Sequence, residues 1–287
     1  MPHQGKVCII TGATDGIGKE AALNLAKMGF TLGLVGRNTE KISKTKSEII
    51  NASGNENVTF FKANLSSMEQ VRQLAKEIQS TFDRIDVLLN NAGAYFSEFG
   101  KTEEGFENTF ALNHLSYFLF TDLLLDTLKA TPKSRIVNVA SDAHLNTNLN
   151  FDNLQGQGSY KGWPAYCKSK LCNVMFTYEL ARRLEGSATT VNCLHPGFVN
   201  SNFGNNNKST IRMGLTAAKV IGAINVRNGA KTSIYLTSSA EVENVSGKYF
   251  SKCKPKTSSA QSQNVEDQRR LWNMSEQLLK LTISLLE

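Results

Sequence analysis

Short apolar runs alternate with longer stretches of helical periodicity along almost the whole chain. Residues 6–11 (KVCIIT) form a continuous apolar run that ends in a glycine-rich turn, the pattern of a strand buried on both faces. Residues 16–28 follow with a 3.6-residue period. Ile17, Ala21, Leu25 and Met28 fall on one side, Lys19, Glu20 and Lys27 fall elsewhere, and Gly29 ends the helix. The same unit recurs. Strands are predicted at 31–35, 58–62, 85–90, 135–140, 190–194 and 248–250. Helices are predicted at 39–52, 67–82, 164–184, 228–236 and 265–285, with one long helix or two in sequence over 102–129.

Strict alternation of this kind implies right-handed crossovers and a parallel sheet covered on both faces. The expected fold is a single doubly wound Rossmann domain of three layers, α/β/α, over residues 1–287. Ligands of such sheets lie beyond the carboxyl ends of the strands, at the switch in strand order. Irregular stretches at 144–162 and 202–209 follow strands on that side, so loops at about 142–163 and 198–226 are expected to shape a substrate mouth.

Composition fits one domain: 287 residues with 40% hydrophobic content bury a large core without needing a second. The net charge of +7 and a pI near 9.1 favour anionic partners. The basic residues are scattered, however, and the tightest group is Lys248, Lys252, Lys254 and Lys256. That distribution argues against nucleic acid and for a solvated surface with an anionic cofactor. Five cysteines (Cys8, Cys167, Cys172, Cys193 and Cys253) include no CxxC pair, so no metal site is expected and the thiols read as reduced and buried in an intracellular, cytoplasmic protein. No apolar run is long enough to span a bilayer. The apolar segment 211–224 (IRMGLTAAKVIGAI) reads as a lid or interface helix, with a peripheral membrane contact as the alternative.

The first turn, 11–18 (TGATDGIG), places Gly12, Gly16 and Gly18 around Thr14, Asp15 and Ile17. Glycines at this spacing let backbone approach a pyrophosphate, with the next helix N-terminus facing it. The second strand runs into Gly36, Arg37 and Asn38 with no acid to take a ribose 2′-hydroxyl. Arg37 can pair with a 2′-phosphate instead, so NADP(H) is expected over NAD(H). Asn64 and Leu65 follow the third strand, where a polar side chain meets an adenine edge, and Asn91, Ala92 and Gly93 follow the fourth, where small residues let the cofactor pass.

The chemistry is expected at Tyr166 and Lys170, four residues apart and therefore on one helical face. A free phenol has a pKa of about 10, and a nearby ammonium with a cationic nicotinamide is expected to lower it. Ser141, just past the fifth strand, can hold a substrate oxygen, and Asn113 can link Lys170 to water. Tyr160 has no lysine at the same interval. His144 reads as loop packing or a substrate contact, His114 as structural, and Cys167 as packing. Phe96, Phe99, Trp163 and Phe203 are expected to line either a pocket or the core.

With these motifs in order on these elements, the chain resembles the short-chain dehydrogenase/reductase family over essentially its full length. Residues 165–184, 195–197 and 245–250 are similar to its retinol dehydrogenase branch. The resemblance implies an NADP(H)-dependent oxidoreductase acting on apolar aldehydes such as retinal. It implies Tyr166 as acid/base, Lys170 on the nicotinamide ribose, Ser141 on the substrate, and Pro196, Gly197 and Val199 beside the cofactor. It also makes a homodimer one expected assembly. Three features depart from the pattern: a long interval from Ser141 to Tyr166 relative to the wider family, Asn64 where an aspartate is usual, and no N-terminal membrane anchor like that of many relatives. The competing reading on the same fold is a non-catalytic NADP(H)-binding sensor.

Overall fold

The protein is described from a computed structural model, over residues 3–199 and 224–284. The irregular stretch 202–209, Phe203 and nearly all of the segment 211–224 lie outside the described residues.

Among the described residues, eight strands form one sheet: β1 (Val7–Thr11), β2 (Thr31–Gly36), β3 (Val58–Lys62), β4 (Val87–Asn90), β5 (Arg135–Val139), β6 (Thr190–His195), β7 (Tyr249–Ser251) and β8 (Lys254–Pro255). Their order across the sheet is β3-β2-β1-β4-β5-β6-β7-β8, with every pair from β3 to β7 parallel. The order reverses between β1 and β4, so the carboxyl ends of these strands open the crevice that a ligand enters. β8 corrects the all-parallel expectation. Lys252 and Cys253 turn the chain at φ 51° and 60°, and β8 returns antiparallel along β7. A two-residue strand carries too little periodicity to announce itself in sequence.

Among the described residues the helices are α1 (Gly16–Lys27), α2 (Thr39–Ser53), α3 (Met68–Thr81), α4 (Asn108–Phe110), α5 (Ser116–Ala130), α6 (Gly162–Arg183), α7 (Val226–Ser238) and α8 (Val265–Ser284). Two local differences from the sequence reading affect the site. The helix expected from 102 begins only at Asn108, because Lys101 and Glu107 pair as a bridge around a turn and the Glu107 carboxylate caps the first helical amides. Between α4 and α5 the chain passes through a π-helical turn, Ala111–Leu115, which carries Asn113. The loop after β5 is not wholly irregular, since it contains 3₁₀ turns at Asp142–Asn146 and Phe151–Asn153.

Alternate residues of each strand feed two cores. Ile9, Leu88 and Ile136 pack with α3, α5, α6 and α8, while Cys8, Ile10, Leu89 and Val137 pack with α1, α2 and α7. Trp272 of α8 closes the first core against Phe118 and Phe176, at ring-centroid distances of 4.7 and 5.8 Å. Among the described residues no helix is long and apolar enough to cross a membrane, and no group of three or more metal-ligating side chains is placed to hold an ion.

Candidate active site

The glycine turn after β1 is stripped of side chains where two backbones meet. Gly12 and Gly16 take φ of 66° and 50°, a region that side-chain-bearing residues rarely adopt. A methyl group on Gly18 would collide with the Gly12 carbonyl and lie 2.5 Å from Asn91 Nδ2. Asn91 laces the turn to β4: its Nδ2 donates to the carbonyls of Thr11 and Gly12 at 2.9 and 3.3 Å. The Asn91 and Ala92 amides in turn donate to Thr11 Oγ1 at 2.8 and 3.0 Å. Gly18→Ala is accordingly expected to abolish dinucleotide binding and to destabilise the fold by about 1–3 kcal/mol. Calorimetric titration with NADPH and a thermal melt check both parts.

Asp15 caps α1 by accepting from the Gly16 amide at 2.7 Å, and Thr14 and Ile17 are half-buried beside it. Arg37 and Asn38 are exposed at the end of β2, where Asn38 caps α2 through the Lys41 amide at 2.8 Å. Lys41 also brings its ammonium to 3.7 Å from the Asp15 carboxylate, so a second cation that sequence reading missed stands at this mouth. Asn64 Oδ1 accepts from the Ser66 amide at 3.2 Å, and the Leu65 side chain belongs to the core. After β6, Pro196 leads to Gly197 at φ 94°, and buried Val199 pairs as a bridge with Ile224.

The residues expected to carry chemistry converge from four elements. Tyr166 on α6 is buried, and the Ser141 hydroxyl lies close enough to favour its ionised form. Ser141 follows β5 and caps the first 3₁₀ turn, its Oγ accepting from the Ala143 amide at 3.2 Å. Lys170, one turn after Tyr166, is also buried and donates from Nζ to the Val139 carbonyl at 2.9 Å. Its Nζ lies 5.8 Å from the centre of the Tyr166 ring. A methyl group built on Gly93 would sit 3.3 Å from both Lys170 Nζ and Asn113 Oδ1, so the absence of a side chain there keeps the space before Lys170 open.

Asn113 is held by three side-chain hydrogen bonds. Its Oδ1 accepts from the Ala94 amide, and its Nδ2 donates to the Ala94 carbonyl and to Ser169 Oγ, each at 2.9 Å. The π turn points the side chain at the 94 loop, so Asn113 fastens that loop to α6. Ser169, which completes the link by donating to the Tyr166 carbonyl at 2.7 Å, was not singled out by any sequence signal.

The protein's own groups shift the tyrosine upward, and the expected lowering belongs to the state with a cationic nicotinamide beside it. Burial pushes Tyr166 above the ordinary phenol value, and the nearby Ser141 hydroxyl only partly opposes it. Burial likewise lowers Lys170, to about 7. The protein alone therefore holds Tyr166 as a neutral phenol, the form that donates a proton.

An aromatic rim flanks the phenol. Trp163, 53% exposed, stacks on Tyr166 at 5.4 Å, and Tyr95 stands edge-on to both at 6.3 and 6.5 Å. Phe99, 43% exposed, packs edge-on to Tyr160, whose hydroxyl donates to the Phe96 carbonyl at 2.8 Å. Phe99 and Trp163 thus belong to the rim rather than the core, and Tyr95 joins them although sequence reading had not named it. Buried His114 bonds Ser275 at 2.9 Å, as a structural histidine should, and buried Cys167 has its thiol pKa raised by burial. A polar cavity of about 880 Å³ between the end of α6, the start of β6 and residues 255–258 includes none of Ser141, Tyr166 or Lys170.

The family model of short chain dehydrogenases matches residues 6–212. Human retinol dehydrogenase 13 is 40% identical over 96% of this chain and 85% of its own length. Human retinol dehydrogenase 11 is 41% identical over 97% and 87%. Among solved structures, an uncharacterised protein from Mycobacterium paratuberculosis aligns with a TM-score of 0.78 at 28% identity, covering 96% of this chain and 94% of that one. A short chain dehydrogenase from Escherichia coli, solved with NADPH, aligns with a TM-score of 0.68 at 23% identity, covering 88% and 98%. The glycine turn at the head of a doubly wound sheet, the buried pairing of Tyr166 with Ser141 and these matches agree: the chain belongs to the short-chain dehydrogenase/reductase family of nicotinamide-dependent oxidoreductases, in its retinol dehydrogenase branch.

Proposed function

We propose that the protein interconverts an apolar aldehyde or ketone and its alcohol with NADP(H), with retinal and retinol as the named pair. The observation that carries this reading is the buried phenol of Tyr166 beside the Ser141 hydroxyl, with Lys170 Nζ 5.8 Å from its ring centre.

The residues present fit a dinucleotide. Gly12 and Gly18 let the turn close tightly against Asn91 and Ala92 at the head of α1, whose N-terminus can face a pyrophosphate, Gly93 leaves room before Lys170, and exposed Arg37 can supply a guanidinium to a ribose phosphate. When bound, the cofactor supplies or accepts the hydride. In the reductive direction Tyr166 donates its proton to the carbonyl oxygen, and Ser141 donates a hydrogen bond to the same oxygen as charge develops on it. A carbonyl oxygen placed between the two hydroxyls can accept a hydrogen bond from each. Lys170, pinned to Val139, places a positive charge near the phenolate that remains. Oxidation runs the same steps backwards.

The rim of Trp163, Tyr95 and Phe99 favours an apolar, flat substrate over a small polar one, and the relatives' names make retinal the first candidate. The test is oxidation of NADPH, with NADH in parallel, against short aliphatic, long aliphatic, aromatic and polyene aldehydes including all-trans-retinal. Turnover of the apolar members with NADPH supports the reading. Tight NADPH binding with no turnover of any carbonyl would place the chain among cofactor sensors instead.

Arg37 is expected to set the cofactor preference. Arg37→Asp should lower kcat/KM with NADPH by about a hundredfold while leaving that with NADH unchanged or improved, since it removes a charge-assisted pairing and adds an acid able to take a ribose hydroxyl. An unchanged ratio of the two removes Arg37 from the phosphate site.

A further inference from the structure

His144 sits three residues after Ser141 and is fully buried. Two of its donors converge on one acceptor: its backbone amide reaches the Ser141 carbonyl at 3.2 Å, and its ring Nδ1 lies 2.6 Å from the same oxygen. A carbonyl only accepts, so Nδ1 carries the hydrogen. On the other side of the ring, Nε2 accepts from the Ser259 amide at 3.2 Å, so it carries none. The imidazole is therefore a neutral bridge of fixed tautomer between the backbone of Ser141 and the segment that follows β8.

The surroundings hold that bridge in place. The Tyr249 ring of β7 packs edge-on against the imidazole at 4.8 Å, and its hydroxyl donates to Asp142 at 2.7 Å. Lys256 donates to both oxygens of the same carboxylate at 3.0 Å. The Asp142 amide donates to His195 Nδ1 at 3.1 Å, which fixes the first residue of the 3₁₀ turn from β6. The Ser141 hydroxyl is oriented by this turn, because its Oγ accepts from the Ala143 amide. Whatever sets the turn thus sets the direction in which Ser141 meets Tyr166.

We propose that His144 is a positioning residue for the reaction, tying the Ser141 backbone to Ser259, which lies 115 residues after His144, so that the segment after β8 helps to aim the serine hydroxyl at Tyr166. The proposal rests on the reading of Ser141 as the substrate-oxygen contact. It gives the antiparallel return of β8 a function, since that turn delivers residues 256–259 to the chemical end of the sheet.

The two ring nitrogens can be separated by substitution. An asparagine amide nitrogen falls near the Nδ1 position and keeps the donor to Ser141 but loses the acceptor for Ser259. A glutamine amide reaches the Nε2 position and keeps the acceptor but loses the donor. His144→Asn, His144→Gln and His144→Leu of the full chain are compared by amide hydrogen exchange over 139–147 and 257–263, by NADPH affinity, and by NADPH oxidation with all-trans-retinal. In His144→Leu, exchange should rise about tenfold in both segments and kcat should fall about tenfold, with NADPH affinity and the KM for retinal nearly unchanged. His144→Asn should restore protection at 139–147 and most of kcat while 257–263 stays exposed to exchange. His144→Gln should show the reverse and remain slow.

Equal behaviour of the asparagine and glutamine variants would overturn the proposal, as would unchanged exchange at 139–147 in both glutamine and leucine variants, or undiminished kcat despite raised exchange. The asparagine and glutamine pair carries the comparison if the leucine variant does not fold, and exchange decides the tether if retinal is not turned over. Ser141→Ala separates the two layers of argument. Full turnover in that variant overturns the role of Ser141, while loss of turnover there with no effect of any His144 substitution overturns only the positioning role.

Discussion

Tyr166→Phe is expected to lower turnover by about a thousandfold or more, the scale on which a positioned proton donor contributes. The phenyl ring keeps everything about Tyr166 except the reacting atom. It retains the burial, the stack with Trp163 at 5.4 Å and the edge contact with Tyr95 at 6.5 Å, so the pocket shape survives. The lost oxygen lies near Ser141, which retains the Ala143 amide as a partner, so the stability cost should stay near 1 kcal/mol, about the scale of one hydrogen bond. The glycine turn and Arg37 are untouched, and NADPH should bind within about twofold of wild type, since an unperturbed site keeps its binding free energy. Stopped-flow turnover, NADPH titration and a thermal melt on one preparation read the three effects. Loss of cofactor binding in parallel with activity would mean that the substitution had disturbed the site rather than removed a proton.

Lys170→Met should inactivate the enzyme and at the same time stabilise the cofactor-free fold near neutral pH. Burial lowers Lys170 to about 7 in the folded protein. In the unfolded chain a lysine titrates at about 10.4. Between those values the unfolded chain holds a proton that the folded one releases, so stability rises with pH across that window, and the penalty is fully present below about pH 7. Methionine carries no such charge. The variant should be more stable by about 1–3 kcal/mol at pH 7, a figure reduced by the lost hydrogen bond to Val139, and the gap should close as pH approaches 10. Turnover should fall about a hundredfold or more, because the phenolate left after proton transfer loses its neighbouring cation. Urea unfolding at several pH values tests the linkage. A variant less stable than wild type at pH 7, or with an unchanged slope between pH 7 and 10, would contradict the account of Lys170 as a charge held at the expense of the fold.

The sheet and most helices were legible because their periodicities are long and their glycines stand at strand ends. The run 6–11, the turn that follows it and the helix from Gly16 read off correctly for that reason. What escaped was short or depended on backbone. β8 is two residues long, and the π turn at Ala111–Leu115 leaves no mark in the pattern. The site was legible as a set of side chains and less so as a set of partners. Tyr166, Ser141 and Lys170 do come together, yet the immediate partner of Lys170 is the Val139 carbonyl, which no side-chain motif encodes. A charge four residues along a helix is visible in sequence, whereas the burial that raises the Tyr166 phenol depends on the full packing of α6. His144 illustrates the same limit. Its burial was foreseeable as packing, but its bond to Ser259 joins positions far apart in the chain.

The most direct measurement is single-turnover reduction of all-trans-retinal by wild type and Tyr166→Phe, each loaded with NADPH, followed by the loss of cofactor absorbance. The account predicts rapid reduction to retinol by the wild type and almost none by the variant at equal cofactor occupancy. Comparable rates in the two proteins would contradict the assignment of Tyr166 as the proton donor.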